Sequence, residues 1–90
     1  MDRLEEMFAL QKAFNESIIK TRHLAHISQG EWMQKHTIAL MCETAEMLEE
    51  VNYKWWKNER PVDQAALKEE LVDMFHFFLS LCINAGMDAQ

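Results

Sequence analysis

The sequence has little glycine and proline, with two glycines and one proline among 90 residues. Hydrophobic residues, by contrast, make up 49% of the chain, which argues against disorder. A chain of this length forms one domain at most, and a single copy would bury only a modest fraction of its surface. The composition therefore predicts one compact, mostly helical domain over residues 1–90.

Positive charge is also scarce, since nine Lys and Arg residues face fifteen Asp and Glu residues. The formal net charge is −6 with histidine counted as neutral. No basic patch is present to neutralise a row of phosphates, which argues against polymeric nucleic acid as a partner. The charge is compatible with a single nucleotide that is held through metal ions.

Cysteines and long apolar runs are few. Cys42 and Cys82 stand alone on helical segments, whereas a disulfide scaffold needs more cysteines and a zinc site needs closer pairing. We expect both to be buried, reduced thiols in a cytoplasmic protein. Residues 1–6 are too charged for a signal peptide, and residues 74–83, the longest nearly apolar run, are too short to span a bilayer. We therefore expect no membrane partner.

Three capping patterns divide the chain into helices. The predicted caps are Asp2 and Ser28, each with a glutamate three positions later, and Asp63. Residues 28–30 interrupt the apolar pattern of the first helix, and Gly86 ends the third. The sequence predicts an all-α bundle of about three main helices per chain.

The third predicted helix is apolar on two sides. One stripe consists of Leu67, Leu71, Met74, Phe78, Leu81 and Ala85. The other consists of Phe75, Leu79 and Ile83. Such a helix needs partners on both sides, and three helices from one chain cover only part of it. We expect a homodimer or homotetramer in which this helix meets its copy and completes the bundle.

Four carboxylates form two helical pairs. Glu43 and Glu46 lie on the second predicted helix, and Glu70 and Asp73 lie on the third. A spacing of three residues puts both acids of a pair on one side of a helix. Each pair is embedded in apolar sequence, where an uncompensated charge is expensive to bury, so the pattern predicts bound cations. The all-oxygen donor set favours Mg²⁺ or Mn²⁺ over a di-iron centre, which normally uses Glu-x-x-His pairs.

Polar residues also interrupt the apolar stripes. Gln11 and Asn15, four positions apart on the first helix, form either a polar network between helices or an amide pair that recognises the edge of a base. His36 lies on the apolar stripe of the second helix and is expected to be a hydrogen-bonded core residue. His76 follows Asp73 by three residues, a spacing suited to orienting a carboxylate or contacting a ligand.

Aromatic residues alternate with lysines at residues 53–57. One interpretation is a membrane-surface or partner-binding patch. Another is a segment that closes over a planar base while Lys54 and Lys57 meet phosphate. The structural alternative is that Trp55 or Trp56 packs at a corner between helices.

The order of these residues resembles that of the dimeric all-α dUTPases, which belong to the MazG-like superfamily of nucleoside triphosphate pyrophosphohydrolases. The pattern Glu-x-x-Glu followed by Glu-x-x-Asp is typical of the superfamily. The aromatic and lysine block at residues 53–57 and the stretch Leu-Val-Asp-Met-Phe-His-Phe at residues 71–77 are typical of the dUTPase branch. The resemblance covers about residues 4–87.

The resemblance implies a helical bundle that cleaves dUTP to dUMP and pyrophosphate with two or more Mg²⁺ ions. The positions that match the metal ligands are Glu43, Glu46, Glu70 and Asp73. The ions would bridge the phosphates and lower the pKa of a bound water, and Glu46 would orient or deprotonate that water as the catalytic residue.

The resemblance also implies a nucleotide site. Gln11 and Asn15 match positions near the uracil, and Trp56 and His76 are expected beside the base or the deoxyribose. Family members continue with a helical segment whose Lys, Asn, Arg and Gln residues close over the phosphates, whereas this sequence stops at Gln90. On that basis the sequence is either a minimal or a truncated form, in which the phosphates would be met by Lys54, Lys57, Arg60 or a partner subunit.

Three other functions remain open at this point. One is a house-cleaning hydrolase for another nucleoside triphosphate such as dCTP, with the same acids and a different base pocket. The second is a nucleotide-binding or regulatory module with weak or no hydrolysis. The third is a structural helical oligomer whose acids form salt bridges, although the stripes offer few basic partners.

Overall fold

The computed structural model describes residues 2–89, which form three α-helices and no strand: α1 (Arg3–Thr21), α2 (Gln29–Glu50) and α3 (Gln64–Asn84). The predicted all-α fold is confirmed. Within these residues, no helix combines the length and apolar character that crossing a membrane requires.

The three helices begin at the predicted caps. The Asp2 side chain accepts a hydrogen bond from the Glu5 amide at 2.8 Å, and Asp63 accepts one from the Ala66 amide at 3.1 Å. The Ser28 hydroxyl accepts from the backbone amide of Glu31 at 3.2 Å. Each cap satisfies an amide that has no partner within its own helix, so the helix starts are determined locally.

The first helix ends earlier than the sequence predicted. We expected residues 28–30 to interrupt the pattern, but Gln29 and Gly30 already belong to the first turn of α2. The break lies at residues 22–28, where His23 adopts a left-handed conformation with φ 57°. The amide of Leu24 donates to the Ile19 carbonyl at 2.8 Å, so His23 occupies the position that glycine usually takes at a helix end.

The third helix ends at Gly86 as predicted. Gly86 has φ 83°, and the Met87 amide donates to the Cys82 carbonyl at 2.9 Å. This left-handed residue turns the chain away from the helix axis and satisfies a carbonyl of the last turn.

α3 is the central element, because α1 and α2 both pack against it and do not pack against each other. At one end of the α2–α3 pair, Gln29 donates to the Asn84 carbonyl at 2.6 Å and Asn84 donates to the Gln29 carbonyl at 2.9 Å. These reciprocal bonds join the start of α2 to the end of α3, so the two helices are antiparallel. α1 runs parallel to α3, because the contacts of Gln11 and Asn15 fall at His76 and Ser80, one turn apart in the same direction.

One chain covers α3 only in part. Among the described residues, the buried apolar side chains are Leu79 and Cys82 alone. Cys82 is buried as predicted, whereas Cys42 is exposed because nothing covers its side of α2. Leu71 and Phe78 remain exposed on α3, the latter to 55%. A second copy that covers this surface stays a prediction.

Candidate functional site

Three of the four predicted metal-ligating acids meet between α2 and α3. One carboxylate oxygen from each of Glu43, Glu46 and Glu70 lies within 4.8 Å of the other two. Glu43 and Glu46 share one side of α2 because three residues separate them. The antiparallel packing of α3 then brings Glu70 opposite both. We call these three residues the acid cluster.

Two oxygens of the acid cluster are buried without a hydrogen-bond partner. They are Oε2 of Glu43 and Oε2 of Glu70, whereas Glu46 is exposed to solvent. A buried acceptor with no partner is unfavourable, and a charged one more so. A hard divalent cation bound in the acid cluster would offset this cost, and the all-oxygen donor set fits Mg²⁺ or Mn²⁺.

The acid cluster holds a proton near neutral pH. The neighbouring Glu43 carboxyl, partial loss of hydration and the nearby Glu46 carboxyl together raise the pKa of Glu70 to about 7. Like charges this close disfavour the ionised form of Glu70. A cation bound there would have to displace that proton.

Asp73, the fourth predicted ligand, does not belong to the acid cluster. Its side chain is exposed and lines a cleft between α1, α2 and α3. Asp73 follows Glu70 by the same three residues that separate Glu43 from Glu46, so spacing alone does not explain why Asp73 is outside the acid cluster. A metal-binding role for Asp73 therefore stays a prediction.

The cleft has a volume of about 1220 Å³, and the surface that the three helices present to it is mostly apolar. Its side-chain hydrogen-bonding and acidic groups include Gln11, Asn15, Glu43, Asp73, His76 and Ser80. Glu43 belongs to both the cleft and the acid cluster. An apolar cleft with a few convergent polar groups is the usual form of a small-molecule site.

The amides predicted on α1 do form a network between helices, and that network lines the cleft. Gln11 is 7% exposed, and its Nε2 donates to Asn15 Oδ1 at 2.9 Å. Asn15 Nδ2 donates to the Ser80 hydroxyl at 3.1 Å, and Gln11 Oε1 lies 2.5 Å from His76 Nδ1. The two interpretations of the amide pair are therefore compatible, since each side chain still has an amide hydrogen to offer a ligand.

The aromatic and lysine block lies in the segment between α2 and α3, and its residues are not among those that line the cleft. Trp55 is 87% exposed and meets Trp56 edge-on, with ring centroids 4.6 Å apart. Lys54 forms an ion pair with Glu49 at 3.0 Å, and Lys57 is exposed. Nucleotide-binding roles for Lys54, Trp56 and Lys57 stay predictions.

The Asn52 side chain fixes the two ends of that segment. It accepts a hydrogen bond from the Arg60 amide at 3.0 Å and donates to the Arg60 carbonyl at 2.7 Å. Asn52 itself has φ 55°, a conformation that asparagine tolerates better than most residues. The aromatic side chains are thus presented by a loop that is closed at its base.

Sequence reasoning missed two features of the cleft. Ser80 is 2% exposed and links Asn15 to the His76 carbonyl, to which its hydroxyl donates at 2.9 Å. Trp32 stacks on His36 with ring centroids 5.2 Å apart and an interplanar angle of 20°. The sequence did contain a signal for both. Ser80 follows His76 by four residues and His36 follows Trp32 by four, and residues at i and i+4 are neighbours on a helix.

The prediction for His36 needs a correction. We expected a hydrogen-bonded core residue, but the ring is half-buried between aromatic neighbours, with Phe77 at a centroid distance of 6.4 Å. Within residues 2–89 its recorded contacts are these ring contacts. Burial lowers the pKa of His36, because a charged ring is less well hydrated there.

A family model described as dUTPase matches residues 3–90 of the chain. The match spans all three helices, the acid cluster and the cleft. No curated protein and no solved structure matches the chain.

Proposed function

The chain belongs to the dUTPase family, and from that premise we propose that it is a Mg²⁺-dependent hydrolase that cleaves dUTP to dUMP and pyrophosphate. The observation that carries the proposal is the acid cluster at the edge of a cleft that also contains an amide and imidazole network. A cleft that combines acids for metal-bound phosphates with amide and imidazole groups for a base fits a nucleotide.

The acid cluster is the proposed metal site. Glu43, Glu46 and Glu70 would hold the ion, with Asp73 as a further ligand from the cleft wall. Mg²⁺ bound there supplies positive charge to the phosphate oxygens and lowers the pKa of water. Mn²⁺ suits the same oxygen donors.

Glu46 is the proposed catalytic carboxylate. It is the exposed member of the acid cluster, whereas Glu43 and Glu70 are partly buried. Its carboxylate is therefore accessible to water and is suited to orient the attacking molecule and take its proton. Phosphorus is the site of attack, and pyrophosphate leaves.

The part of the cleft that contains the amide and imidazole network is the proposed base site. Gln11, Asn15 and His76 line it, and each has a hydrogen-bonding atom left over from the network. We further propose that Trp56 approaches the base or deoxyribose and that Lys54 and Lys57 approach the phosphates. Lys54 would then give up its ion pair with Glu49 and pair with phosphate instead. The cost is small, because ion pairs at the surface contribute little to stability.

We propose that the protein acts as a homodimer or homotetramer. Leu71 and Phe78 expose apolar surface along the central helix and are not among the residues that line the cleft. An exposed apolar patch is often an interface. A partner copy would cover it and could also bring further positive charge to the phosphates.

A direct assay tests the hydrolase. The full chain is incubated with Mg²⁺ and a panel of nucleotides that includes dUTP and dCTP, and pyrophosphate is measured. We expect release from dUTP that Glu46→Gln abolishes. Glu49→Gln is the matched control, since Glu49 lies three residues further along α2, outside the acid cluster, and should retain activity.

Other outcomes would redirect the proposal. Hydrolysis of dCTP in preference to dUTP would support the house-cleaning alternative. Tight binding of dUMP without turnover at saturating Mg²⁺ would favour a binding module. Equal activity of Glu46→Gln and Glu49→Gln would remove the acid cluster from the mechanism.

A further inference from the structure

We propose that Ser80 is a positioning residue for base recognition, because it sets the hydrogen-bond polarity of a chain of side chains that ends at the His76 ring. In this arrangement His76 carries its proton on Nδ1 and offers the Nε2 lone pair to the imide N–H of a uracil-type base. The inference rests on the proposed function, since it concerns the base of the same nucleotide.

The polarity starts at a group that can only accept, the backbone carbonyl of His76. The Ser80 hydroxyl lies 2.9 Å from this oxygen and donates its single hydrogen to it. Ser80 is 2% exposed, so no bulk water competes for the hydroxyl. Toward its other neighbour, Asn15 at 3.1 Å, the hydroxyl can then only accept.

The same logic orients both amides. Asn15 must direct Nδ2 to Ser80, which leaves Oδ1 facing Gln11. Gln11 must therefore direct Nε2 to Asn15, where the two atoms are 2.9 Å apart. This leaves Gln11 Oε1 facing His76, so neither amide is free to exchange its oxygen and nitrogen positions.

The last contact fixes the tautomer of His76. Gln11 Oε1 lies 2.5 Å from His76 Nδ1, and a carboxamide oxygen has no hydrogen to donate. Nδ1 must therefore carry the proton. In the neutral ring the other nitrogen is then an acceptor, so Nε2 offers a lone pair in a side chain that lines the cleft.

The cleft wall therefore offers one acceptor and two donors. The acceptor is His76 Nε2, and the donors are the second hydrogens of Gln11 Nε2 and Asn15 Nδ2, since the network uses one hydrogen from each. The pairing edge of uracil has an N–H between two carbonyl oxygens. Cytosine has a lone pair at the same ring nitrogen, so it would meet the Nε2 lone pair without a hydrogen between them. Sites that leave polar groups unpaired reject the wrong ligand strongly.

The first test is spectroscopic and needs no substrate. Nitrogen-15 NMR of the full chain, at a pH where His76 is neutral, distinguishes a ring protonated on Nδ1 from one protonated on Nε2. We expect the Nδ1 form in the wild-type protein and a shift toward the Nε2 form in Ser80→Ala. A wild-type His76 with its proton on Nε2 overturns the inference without any variant.

The second test compares the binding of dUMP and dCMP by calorimetry. We expect the wild-type protein to prefer dUMP and Ser80→Ala to lose about tenfold of that preference, as for the loss of one hydrogen bond. Cys82→Ala is the matched control, because it also removes one heavy atom from a buried position on α3 but lies outside the network. Ser80→Thr keeps the hydroxyl and should restore the preference.

These measurements separate the inference from the hydrolase proposal. Hydrolysis without a base preference, or with a preference that Ser80→Ala leaves unchanged, overturns the inference and leaves the hydrolase intact. A dUMP preference that depends on Ser80, in a protein that releases no pyrophosphate, supports the inference and removes the hydrolase. An equal loss of preference in Cys82→Ala assigns the effect to packing and overturns the role of the hydroxyl.

Discussion

Gln11 on α1 and His76 on α3 are 65 residues apart in the sequence, yet Gln11 Oε1 and His76 Nδ1 lie 2.5 Å apart. The contact joins the two helices at the wall of the cleft. The same two side chains therefore hold α1 in place and carry the atoms proposed to meet the base. Stability and the proposed base recognition are linked at this point.

Gln11→Ala tests that link. The substitution leaves the Nδ1 proton of His76 and the Oδ1 atom of Asn15 without their partner, so we expect the free energy of unfolding to fall by about 1–3 kcal/mol. The KM for dUTP should rise while Mg²⁺ affinity is kept. Urea unfolding and steady-state kinetics measure the two effects.

Gln34→Ala is the control for this change, because Gln34 is exposed on α2 and does not line the cleft. It should leave stability within about 0.5 kcal/mol of the wild type. Normal use of dUTP by Gln11→Ala would contradict the role of this residue in base recognition.

The raised pKa of Glu70 predicts how stability depends on pH without metal. Its pKa is about 7 in the folded chain against an ordinary value of 4.5, so between these values the folded state binds more protons than the unfolded state. The free energy of unfolding should therefore fall as pH rises from 4.5 to 7 and stay low above it. Thermal unfolding in EDTA at pH 5.5 and pH 8 measures the difference.

Glu70→Gln and added Mg²⁺ complete that experiment. The variant has no titrating group at this position, so its melting temperature should depend less on pH. A cation bound to the native state should raise the wild-type melting temperature most at pH 8, where no proton must be displaced. A pH profile that is the same in both proteins would contradict a shared proton in the acid cluster.

Phe78→Lys tests the proposed oligomer. Phe78 is 55% exposed in the apolar stripe of α3, and a charge there would oppose burial against a second copy. Sedimentation equilibrium should show an oligomer for the wild type and mostly monomer for the variant. Met87→Lys, at a residue that is 58% exposed but outside α3, should leave the mass unchanged. A monomeric wild type would refute the prediction.

The two glycines should respond in opposite ways to alanine. Gly86 has φ 83°, where a side chain is strained, so Gly86→Ala should lower the free energy of unfolding by about 1 kcal/mol. Gly30 lies in the first turn of α2 with no atom within 4 Å of an added Cβ, so Gly30→Ala should be neutral or stabilising. Denaturant unfolding of both variants measures this, and destabilisation by Gly30→Ala alone would contradict the assignment of the helix ends.

The helix starts could be predicted because their determinants are local. Asp2, Ser28 and Asp63 each cap a helix through a backbone amide three residues away. The end of α1 could not be predicted in the same way. His23 occupies a position where glycine is expected, so the sequence there lacks the usual marker.

The part of the candidate site that could be predicted consists of residues whose type alone indicates their chemistry. Acids in apolar sequence indicated the acid cluster, although their spacing did not show that Asp73 lies outside it. Ser80 was missed because its role depends on the packing of α1 beside α3. A serine within a helix is unremarkable until the partners of its hydroxyl are known.

The attachment of α1 to a single neighbour has one more consequence. Since α1 packs against α3 and not against α2, one wall of the cleft is a helix that is attached to a single neighbour. A nucleotide that binds Gln11 and His76 together would strengthen the attachment of α1 to α3. The backbone amide hydrogens of α1 should then exchange more slowly with solvent when a nucleotide occupies the cleft.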